Sequence, residues 1–169
     1  MVSLDVGCGP HKRGDIGIDY SKESCADIVA DSHFLPFKEK VFDKVISVTV
    51  IEHSPNALNF LKEQARVLKR QGRVELITDN AQYYNFSVMR LGRGGILHWN
   101  FCKDHYGIFY PKNIERLMIL AGFTVDKMAY QSNRKSKADI AAKILVKLGI
   151  WRKDCLCDRF LVTGTVISK

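Results

Sequence analysis

VSLDVGCGP, at residues 2–10, decides the fold of this 169-residue chain. An alternating apolar stretch that stops at glycines and a proline is typical of a strand that runs into a tight turn. Two more strand-like segments follow at residues 16–19 and 27–31, and each ends at an acidic residue. Residues 41–50 form a nearly continuous β-branched run, which is typical of a strand buried on both faces of a parallel sheet. These four segments predict the first strands of such a sheet.

Helical patterns alternate with strands along the rest of the chain. The first helix begins at Ser54-Pro55, an N-cap residue followed by proline, and Gly72 is predicted to end it as a C-terminal cap. A strand, helix, strand, helix and strand are then predicted at 73–78, 111–122, 123–130, 136–148 and 160–168. This alternation implies an α/β fold with a mostly parallel sheet and right-handed crossovers.

Length and composition limit the class of protein. The length suits one domain with a hydrophobic core, so residues 1–169 are predicted to form one domain with a basic helical insertion at about 133–158. No apolar run approaches the roughly 20 residues that span a bilayer, and no basic segment precedes the first strand. Secretion and membrane insertion are therefore not expected, and the prediction is a cytoplasmic protein.

The five cysteines are odd in number and form no disulfide framework, which indicates reduced thiols. Cys155 and Cys157 are spaced to chelate a metal, but the sequence contains no second pair at zinc-like spacing. No metal site is predicted.

Positive charge is concentrated near the C-terminus. Residues 132–159 carry eight Lys or Arg against three Asp, which indicates either a polyanionic partner such as RNA or a solvated basic face. The helix predicted there also carries an apolar stripe formed by Ile140, Ile144, Leu145 and Leu148. The stripe favours packing on the sheet over docking to RNA.

Glycine and acidic residues gather at the carboxyl ends of the predicted strands, where open parallel sheets bind ligands. Gly7 and Gly9 lack a Cβ, so a ligand can approach their backbone closely. Asp19 ends the second strand, where a carboxylate can accept hydrogen bonds from both hydroxyls of a ribose. Asp31 and Ser32 end the third strand, where they can meet an adenine edge.

These residues resemble the motifs of class I S-adenosylmethionine-dependent methyltransferases, and in particular of the methyltransferase type 11 group. The matching segments are LDVGCGP at 4–10, IDY at 18–20, ADSHFLPF at 30–37, FDKVI at 42–46, VIEH at 50–53, RVLKRQGR at 66–73 and AGF at 121–123. The resemblance covers roughly residues 4–130 in the family's order. It implies a Rossmann-like, mostly parallel seven-stranded sheet in the order 3-2-1-4-5-7-6, flanked by helices.

The resemblance also implies a site for S-adenosylmethionine. It assigns Asp5, Gly7 and Gly9, with Cys8 between the glycines, to the methionine moiety, Asp19 and Tyr20 to the ribose, Asp31, Ser32 and Phe34 to the adenine, and Thr49 and Val50 to the wall near the sulfonium. The alternatives are that Asp5 only caps the turn and that Asp19 is an exposed loop acid.

One spacing departs from the family. Nine residues separate Gly9 from Asp19, fewer than a parallel crossover ordinarily needs, so the first helix is predicted to be missing or reduced to a turn, with a shallower pocket. A nicotinamide site is the competing interpretation. Its Gly-x-Gly-x-x-Gly motif would need glycine at position 12, which is Lys12, and a helix N-terminus to face the pyrophosphate.

Methyl transfer from a sulfonium mainly requires alignment of donor and acceptor and exclusion of water. His53, which follows the fourth strand, is the candidate general base; the alternative is a helix-start residue hydrogen-bonded to a loop. The candidate acceptor-side residues are Asp79, His98, Trp99, His105 and Tyr106.

Residues 80–110 contain eight of the seventeen aromatic residues, with a glycine-rich hinge at 92–95. This segment is predicted to be a lid over an apolar or planar acceptor, a packing flap or a homodimer contact. The sequence therefore predicts methyl transfer to a small molecule, with RNA as a second substrate class. The rival hypothesis is a methyltransferase-like interaction subunit that binds the cofactor weakly or not at all.

Overall fold

The computed structural model describes residues 1–83, 104–131, 138–149, 152 and 156–167. The strands in chain order are β1 (Ser3–Val6), β2 (Ile16–Asp19), β3 (Ile28–Val29), β4 (Phe42–Val48), β5 (Leu68–Asp79), β6 (Phe123–Gln131) and β7 (Arg159–Val166). The helices are a short 3-10 helix (Ile51–His53), α1 (Ala57–Val67), α2 (Pro111–Ala121) and α3 (Ala138–Lys147). None of the described helices has the length and apolar character that crossing a bilayer requires.

All seven strands join one sheet in the order β3-β2-β1-β4-β5-β7-β6. Strands β1 to β5 pair in parallel, whereas β7 runs antiparallel to both β5 and β6. The predicted fold class and strand order are confirmed. Because the first five strands point the same way, the residues that follow them meet at one edge of the sheet.

The described core is built from the sheet and the two longer helices packed on it. Leu4, Val45 and Leu76 of the central strands are fully buried, and so are Phe60 of α1 and Met118 of α2. Each fully buried side chain of this size stabilises the fold by about 1.5–3 kcal/mol relative to exposure. The core therefore fixes the strands whose ends carry the polar residues.

No helix joins β1 to β2, as the nine-residue spacing predicts. The loop at residues 7–15 is held instead by two carboxylates. Asp5 is fully buried, and its Oδ2 accepts a hydrogen bond from the Arg13 backbone N–H at 2.6 Å. Asp15 accepts hydrogen bonds from the backbone N–H and the hydroxyl of Ser3 at 2.8 and 2.7 Å. The first crossover is thus a pinned loop.

The predicted helix end at Gly72 is wrong. Helix α1 ends at Val67, and Leu68 is already extended and pairs with Phe42 at the start of β4. The pairing between β4 and β5 then shifts in register, and a Cβ on Gly72 would lie 2.9 Å from the Lys69 carbonyl oxygen. Gly72 therefore lies in a tightly packed irregular part of β5 and does not cap the helix. The helix ends earlier because Leu68 pairs with a strand that is distant in the sequence.

The predicted packing of the apolar stripe of residues 136–148 on the sheet is not found for two of its three described side chains, whereas the third, Leu145, is half-buried. Ile144 is 53% exposed and Leu148 is 66% exposed. Helical spacing shows that a helix has an apolar face, but it does not show what covers that face.

Arg66 ties α1 to the segment after β3. Its guanidinium donates hydrogen bonds to the carbonyl oxygens of Phe37 and Leu35 at 2.8 and 2.9 Å and to the Glu63 carboxylate at 2.7 and 2.8 Å. Glu63 in turn accepts the Leu35 N–H at 2.9 Å, and the Arg66 hydrogen bond holds the pKa of Glu63 below its usual range. Residues 35–37 are therefore anchored directly behind the polar end of β3.

We expect Arg66→Met to lower the free energy of unfolding by about 2–3 kcal/mol, because it leaves partly buried acceptors unpaired. Urea unfolding measures the change. Lys62→Met is the matched control, since Lys62 is exposed on the same helix and the substitution should alter stability by less than about 0.5 kcal/mol. Equal losses in both variants would contradict the anchoring role.

Candidate cofactor-binding cleft

A cleft of about 900 Å³ opens where β1, β2, β3 and β4 end. Many of the residues that the sequence singles out line it: Gly7, Cys8, Gly9, Asp19, Tyr20, Asp31, Ser32, Thr49, Val50, His53 and Tyr106. The lining also contains residues that the sequence did not single out as site residues, among them Arg13, His33, Ser54 and Asp104. Parallel strand ends therefore bring distant motifs into one cavity.

The glycine turn after β1 forms one wall of the cleft. Gly7 and Gly9 have φ angles of 70° and 55°, in the left-handed region that favours glycine. A Cβ on Gly7 would overlap Val50 Cγ2 and lie 2.9 Å from Val50 Cγ1. The N–H groups of Gly7 and Cys8 donate to the Ile18 carbonyl at 2.9 and 3.0 Å. The turn is therefore packed closely between the ends of β2 and β4.

Asp19, at the end of β2, faces this turn. Its Oδ2 accepts a hydrogen bond from the Gly9 N–H at 2.8 Å, and its Oδ1 accepts one from the Ser21 N–H at 2.8 Å. A carboxylate offers about four acceptor positions, so Asp19 can hold the turn and still accept hydroxyl donors from the cleft. Tyr20 lies beside it in the lining, with its side chain exposed.

A small hydrogen-bond network holds the Asp31 carboxylate in place after β3. Asp31 Oδ1 accepts the His33 N–H at 2.8 Å and lies 2.7 Å from His33 Nδ1, while His33 Nε2 lies 2.7 Å from Ser54 Oγ. The His33 N–H hydrogen bond, followed by its ring, holds the pKa of Asp31 below its usual range, so this carboxylate is charged at neutral pH. Phe34 is 75% exposed and does not line the cleft.

Asp5 lies next to the cleft lining without being part of it. Besides its bond to the Arg13 N–H, its Oδ2 is 4.0 Å from Arg13 Nη1, and Arg13 lines the cleft. Asp5 Oδ1 is buried with no hydrogen-bond partner among the described residues, and burial raises the pKa of this carboxyl group. Asp5 thus shapes the loop and keeps one spare acceptor.

One strained residue lies where β4 meets the cleft. Thr49 has a φ of 55°, which is uncommon for a β-branched residue and costs about 1–3 kcal/mol. Its N–H donates to the Ile77 carbonyl at 2.7 Å, and its hydroxyl donates to the Val48 carbonyl at 2.7 Å. Conformations of this kind cluster at functional sites. No pattern of residue types in the sequence signals it.

His53 lines the cleft with a defined ring orientation. Its Nδ1 lies 3.0 Å from the backbone oxygen of Asp104, and a carbonyl oxygen only accepts. In the neutral ring Nδ1 therefore carries the proton, and Nε2 is left as the acceptor. The loop hydrogen bond named as the alternative for His53 is present, and it leaves the ring in the cleft lining.

The candidate acceptor-side residues separate into three groups. Tyr106 lines the cleft, and its N–H donates to the Glu52 carbonyl at 2.8 Å. His105 packs edge-on against His53 with ring centroids 4.5 Å apart, whereas Asp79, at the end of β5, is not part of the lining. His98, Trp99 and the hinge at 92–95 lie outside the described residues.

Glu52 is a buried carboxyl group that the sequence did not single out, although the VIEH motif contains it. It is 1% exposed, and its Oε2 accepts the Thr78 hydroxyl at 3.0 Å. Its Oε1 has no hydrogen-bond partner among the described residues. Burial, reinforced by the charge of Asp79, raises the pKa of Glu52 to about 7. In the sequence, Glu52 is marked only by its position shortly after the apolar run at residues 41–50.

The family of methyltransferase domains matches residues 4–76 of the chain. A ubiquinone biosynthesis O-methyltransferase of Bartonella bacilliformis is 24% identical over 145 residues, which are 80% of this chain and 56% of that protein. An uncharacterized protein of Methanocaldococcus jannaschii is 36% identical over 83 residues, 41% of this chain and 33% of that protein. The chain spans about half, or less, of the length of the curated relatives it matches.

Solved structures show the same fold. An S-adenosylmethionine-dependent methyltransferase of Archaeoglobus fulgidus aligns with a TM-score of 0.72 at 15% identity, covering 96% of this chain and 85% of that one. A chain from the complex of the Haloferax volcanii Trm112 methyltransferase activator with a methyltransferase aligns with a TM-score of 0.71 at 17% identity, covering 98% and 82%.

The strand order and these likenesses define the chain as a class I methyltransferase fold, and the predicted resemblance to that S-adenosylmethionine-dependent class is confirmed. Within the class, residues 4–76 match the methyltransferase-domain family.

Proposed function

We propose that this chain transfers a methyl group from S-adenosylmethionine to a small-molecule acceptor. The observation that carries the proposal is the convergence of Gly7, Gly9, Asp19 and Asp31 on one cleft at the ends of three neighbouring strands. A nucleoside with an amino-acid tail needs hydrogen-bond acceptors for its two ribose hydroxyls and its exocyclic amine. It also needs a backbone turn that the ligand can approach closely. The match of residues 4–76 to methyltransferase domains supports the same assignment.

The side chains present fit this cofactor. Asp19 has acceptor capacity left for ribose hydroxyls, and Asp31 is charged and can accept the adenine amine. The missing Cβ of Gly7 lets the turn pack on Val50, Gly9 has open space where a Cβ would stand, and Asp5 Oδ1 is a buried acceptor without a partner among the described residues. When bound, the cofactor would supply a methyl group that the acceptor takes in an in-line displacement, with the carbon–sulfur bond breaking and S-adenosylhomocysteine leaving.

In this proposal the chain positions the reactants and accepts a proton. His53 Nε2 is the free acceptor of the ring and takes the proton from a hydroxyl or amine acceptor. Tyr106 lines the same cleft, and in this proposal its ring contacts the acceptor. A small-molecule acceptor is supported by the likeness to a ubiquinone biosynthesis O-methyltransferase.

A second candidate function is a methyltransferase-like subunit that works with a protein partner. The likeness to a chain from the Trm112 activator complex favours it. RNA binding, a homodimer and the cytoplasmic location remain predictions from the sequence.

Calorimetric titration with S-adenosylmethionine and S-adenosylhomocysteine tests the proposal. We expect one site per chain with a dissociation constant between about 1 μM and 1 mM, and NAD as the control ligand should give no heat. The absence of both heat and a thermal shift at millimolar cofactor would exclude the enzyme and leave the interaction subunit.

We expect His53→Ala to keep cofactor affinity within about twofold and to lower turnover about 100-fold, because general bases contribute at least that factor. Turnover is measured with an acceptor identified by screening hydroxylated aromatic compounds. His11→Ala, which removes an exposed histidine, is the control and should match the unmodified protein. An unchanged rate in His53→Ala would remove His53 from the chemistry.

A further inference from the structure

We propose that the chain binds a divalent transition-metal ion between Glu52, Asp79 and His105, next to the cleft. Each residue offers a ligand atom, either a carboxylate oxygen or a ring nitrogen, and the three atoms lie within 4.8 Å of one another. The three residues are distant from one another in the sequence, so no local sequence motif predicts the site. The inference departs from the sequence-based prediction of no metal.

The backbone already holds the three groups in place. Glu52 lies on the 3-10 helix after β4, and Asp79 ends the adjacent strand β5. The Glu52 carbonyl accepts the N–H groups of Tyr106 and Gly107 at 2.8 and 3.2 Å, which fixes His105 beside them. The ligands therefore come from three separate segments that are joined by hydrogen bonds independent of any ion.

A second observation points to a missing charge partner. Glu52 is 1% exposed, and its Oε1 has no hydrogen-bond partner among the described residues. An unpartnered buried carboxyl oxygen is costly, and such atoms in folded proteins commonly mark a bound ion or water. A divalent cation between the three side chains would supply the partner that this carboxyl group lacks.

The donor set selects the class of metal. One imidazole and two carboxylates form a mixed nitrogen and oxygen site, which suits Mn²⁺ or Zn²⁺, whereas Mg²⁺ and Ca²⁺ favour oxygen ligands alone. With bonds of about 2.1 Å, neighbouring ligand atoms on one ion stand about 3.0–3.4 Å apart. The three ligand atoms lie within 4.8 Å of one another, so side-chain rotations that move them by about 1–2 Å would bring them onto a common ion.

Arg159 is the competing cation. Its Nε lies 3.6 Å from Asp79 Oδ1, which is too long for a hydrogen bond but close enough to reduce the negative charge of the cluster. The ion must share Asp79 with this guanidinium. The affinity should therefore be weaker than that of closed structural zinc sites.

A metal ion bound at His105 would also affect the neighbouring wall of the cleft. Asp104 and Tyr106, on either side of His105, line the cleft, and Asp104 also accepts the hydrogen bond from His53. An ion on His105 would tie this wall to the ends of β4 and β5. The metal thus fixes the acceptor side of the cleft, at the edge where His53 lies.

Titration of chelator-treated protein with Mn²⁺, followed by electron paramagnetic resonance of the free ion, tests the proposal. Mn²⁺ is the probe of choice because thiolates prefer softer metals, so the cysteines should not compete for it. We expect one bound ion per chain, displaced by Zn²⁺ in line with the usual order of divalent affinities. Binding should weaken at least about tenfold in His105→Ala and in Asp79→Asn.

Glu52→Gln keeps the shape of the buried side chain while removing its charge, and it should weaken binding in the same way. His11→Ala is the matched control and should bind Mn²⁺ like the unmodified protein. Circular dichroism confirms that each variant is folded. No stoichiometric binding at 100-fold excess over protein, or unchanged binding in all three ligand variants, would overturn the site. Because the titration contains no cofactor or acceptor, its result is independent of the proposed methyl transfer.

Discussion

Replacement of Gly7 by alanine is expected to destabilise the protein by about 2–5 kcal/mol and to lower S-adenosylmethionine affinity about 100-fold. Two costs combine at this position. A φ of 70° is unfavourable for a residue with a Cβ, by about 1–2 kcal/mol, and the added methyl group would overlap Val50 Cγ2 at a further cost of about 1–3 kcal/mol. Moving either residue 7 or Val50 shifts the cleft wall. A misplacement of about 1 Å in a functional site can cost about 100-fold in function.

Urea unfolding and calorimetric titration measure the two effects. Gly9→Ala separates the two stability costs, because Gly9 has a φ of 55° but a Cβ there would meet nothing within 4 Å. In urea unfolding this variant should show the backbone cost alone. Gly122→Ala, at the end of α2 with a φ of 100° and open space around it, gives the same cost away from the cleft. If Gly7→Ala lowered the free energy of unfolding no more than these two variants, the close packing of Gly7 on Val50 would not contribute to stability.

Asp19→Ala should lower S-adenosylmethionine affinity about 100-fold or more. Hydrogen bonds to a charged group are worth about 1.5–3 kcal/mol each, and the proposed ribose contact uses two of them. The alanine also removes the acceptor of the Gly9 N–H, which loosens the turn. Asp19→Asn keeps one side-chain oxygen for that N–H, so it should bind more tightly than the alanine variant and more weakly than the unmodified protein.

The matched control for this prediction is Asp15→Asn. Asp15 also accepts a backbone N–H at 2.8 Å, from Ser3, but it does not line the cleft. Calorimetry should therefore give an unchanged cofactor affinity for this variant. An unchanged affinity in Asp19→Ala would show that the ribose assignment is mistaken, whatever the outcome for the rest of the fold.

The sequence predicts the strand-end residues well because their signals are local. LDV followed by glycines marks the end of β1, and an acid directly after a short apolar segment marks Asp19. Once the strands are parallel and ordered, their ends meet without further information. The loop that replaces the first helix follows in the same way from a count of residues.

Tertiary contacts explain what the sequence did not predict. Helix α1 stops at Val67 because Leu68 pairs with Phe42, a partner far away in the sequence. The grouping of Glu52, Asp79 and His105 depends on the packing of three separate segments. Helical periodicity predicted an apolar face on α3, yet Ile144 and Leu148 are exposed, since periodicity carries no information about a partner.

Thr49 sets up a conflict between hardiness and the shape of the cavity. Glycine adopts a left-handed backbone at little cost, so a single substitution would relieve the strain at the end of β4. The same substitution would remove a branched side chain from the cleft lining. Engineering the protein for thermal tolerance at this position would therefore alter the surface that faces the ligand.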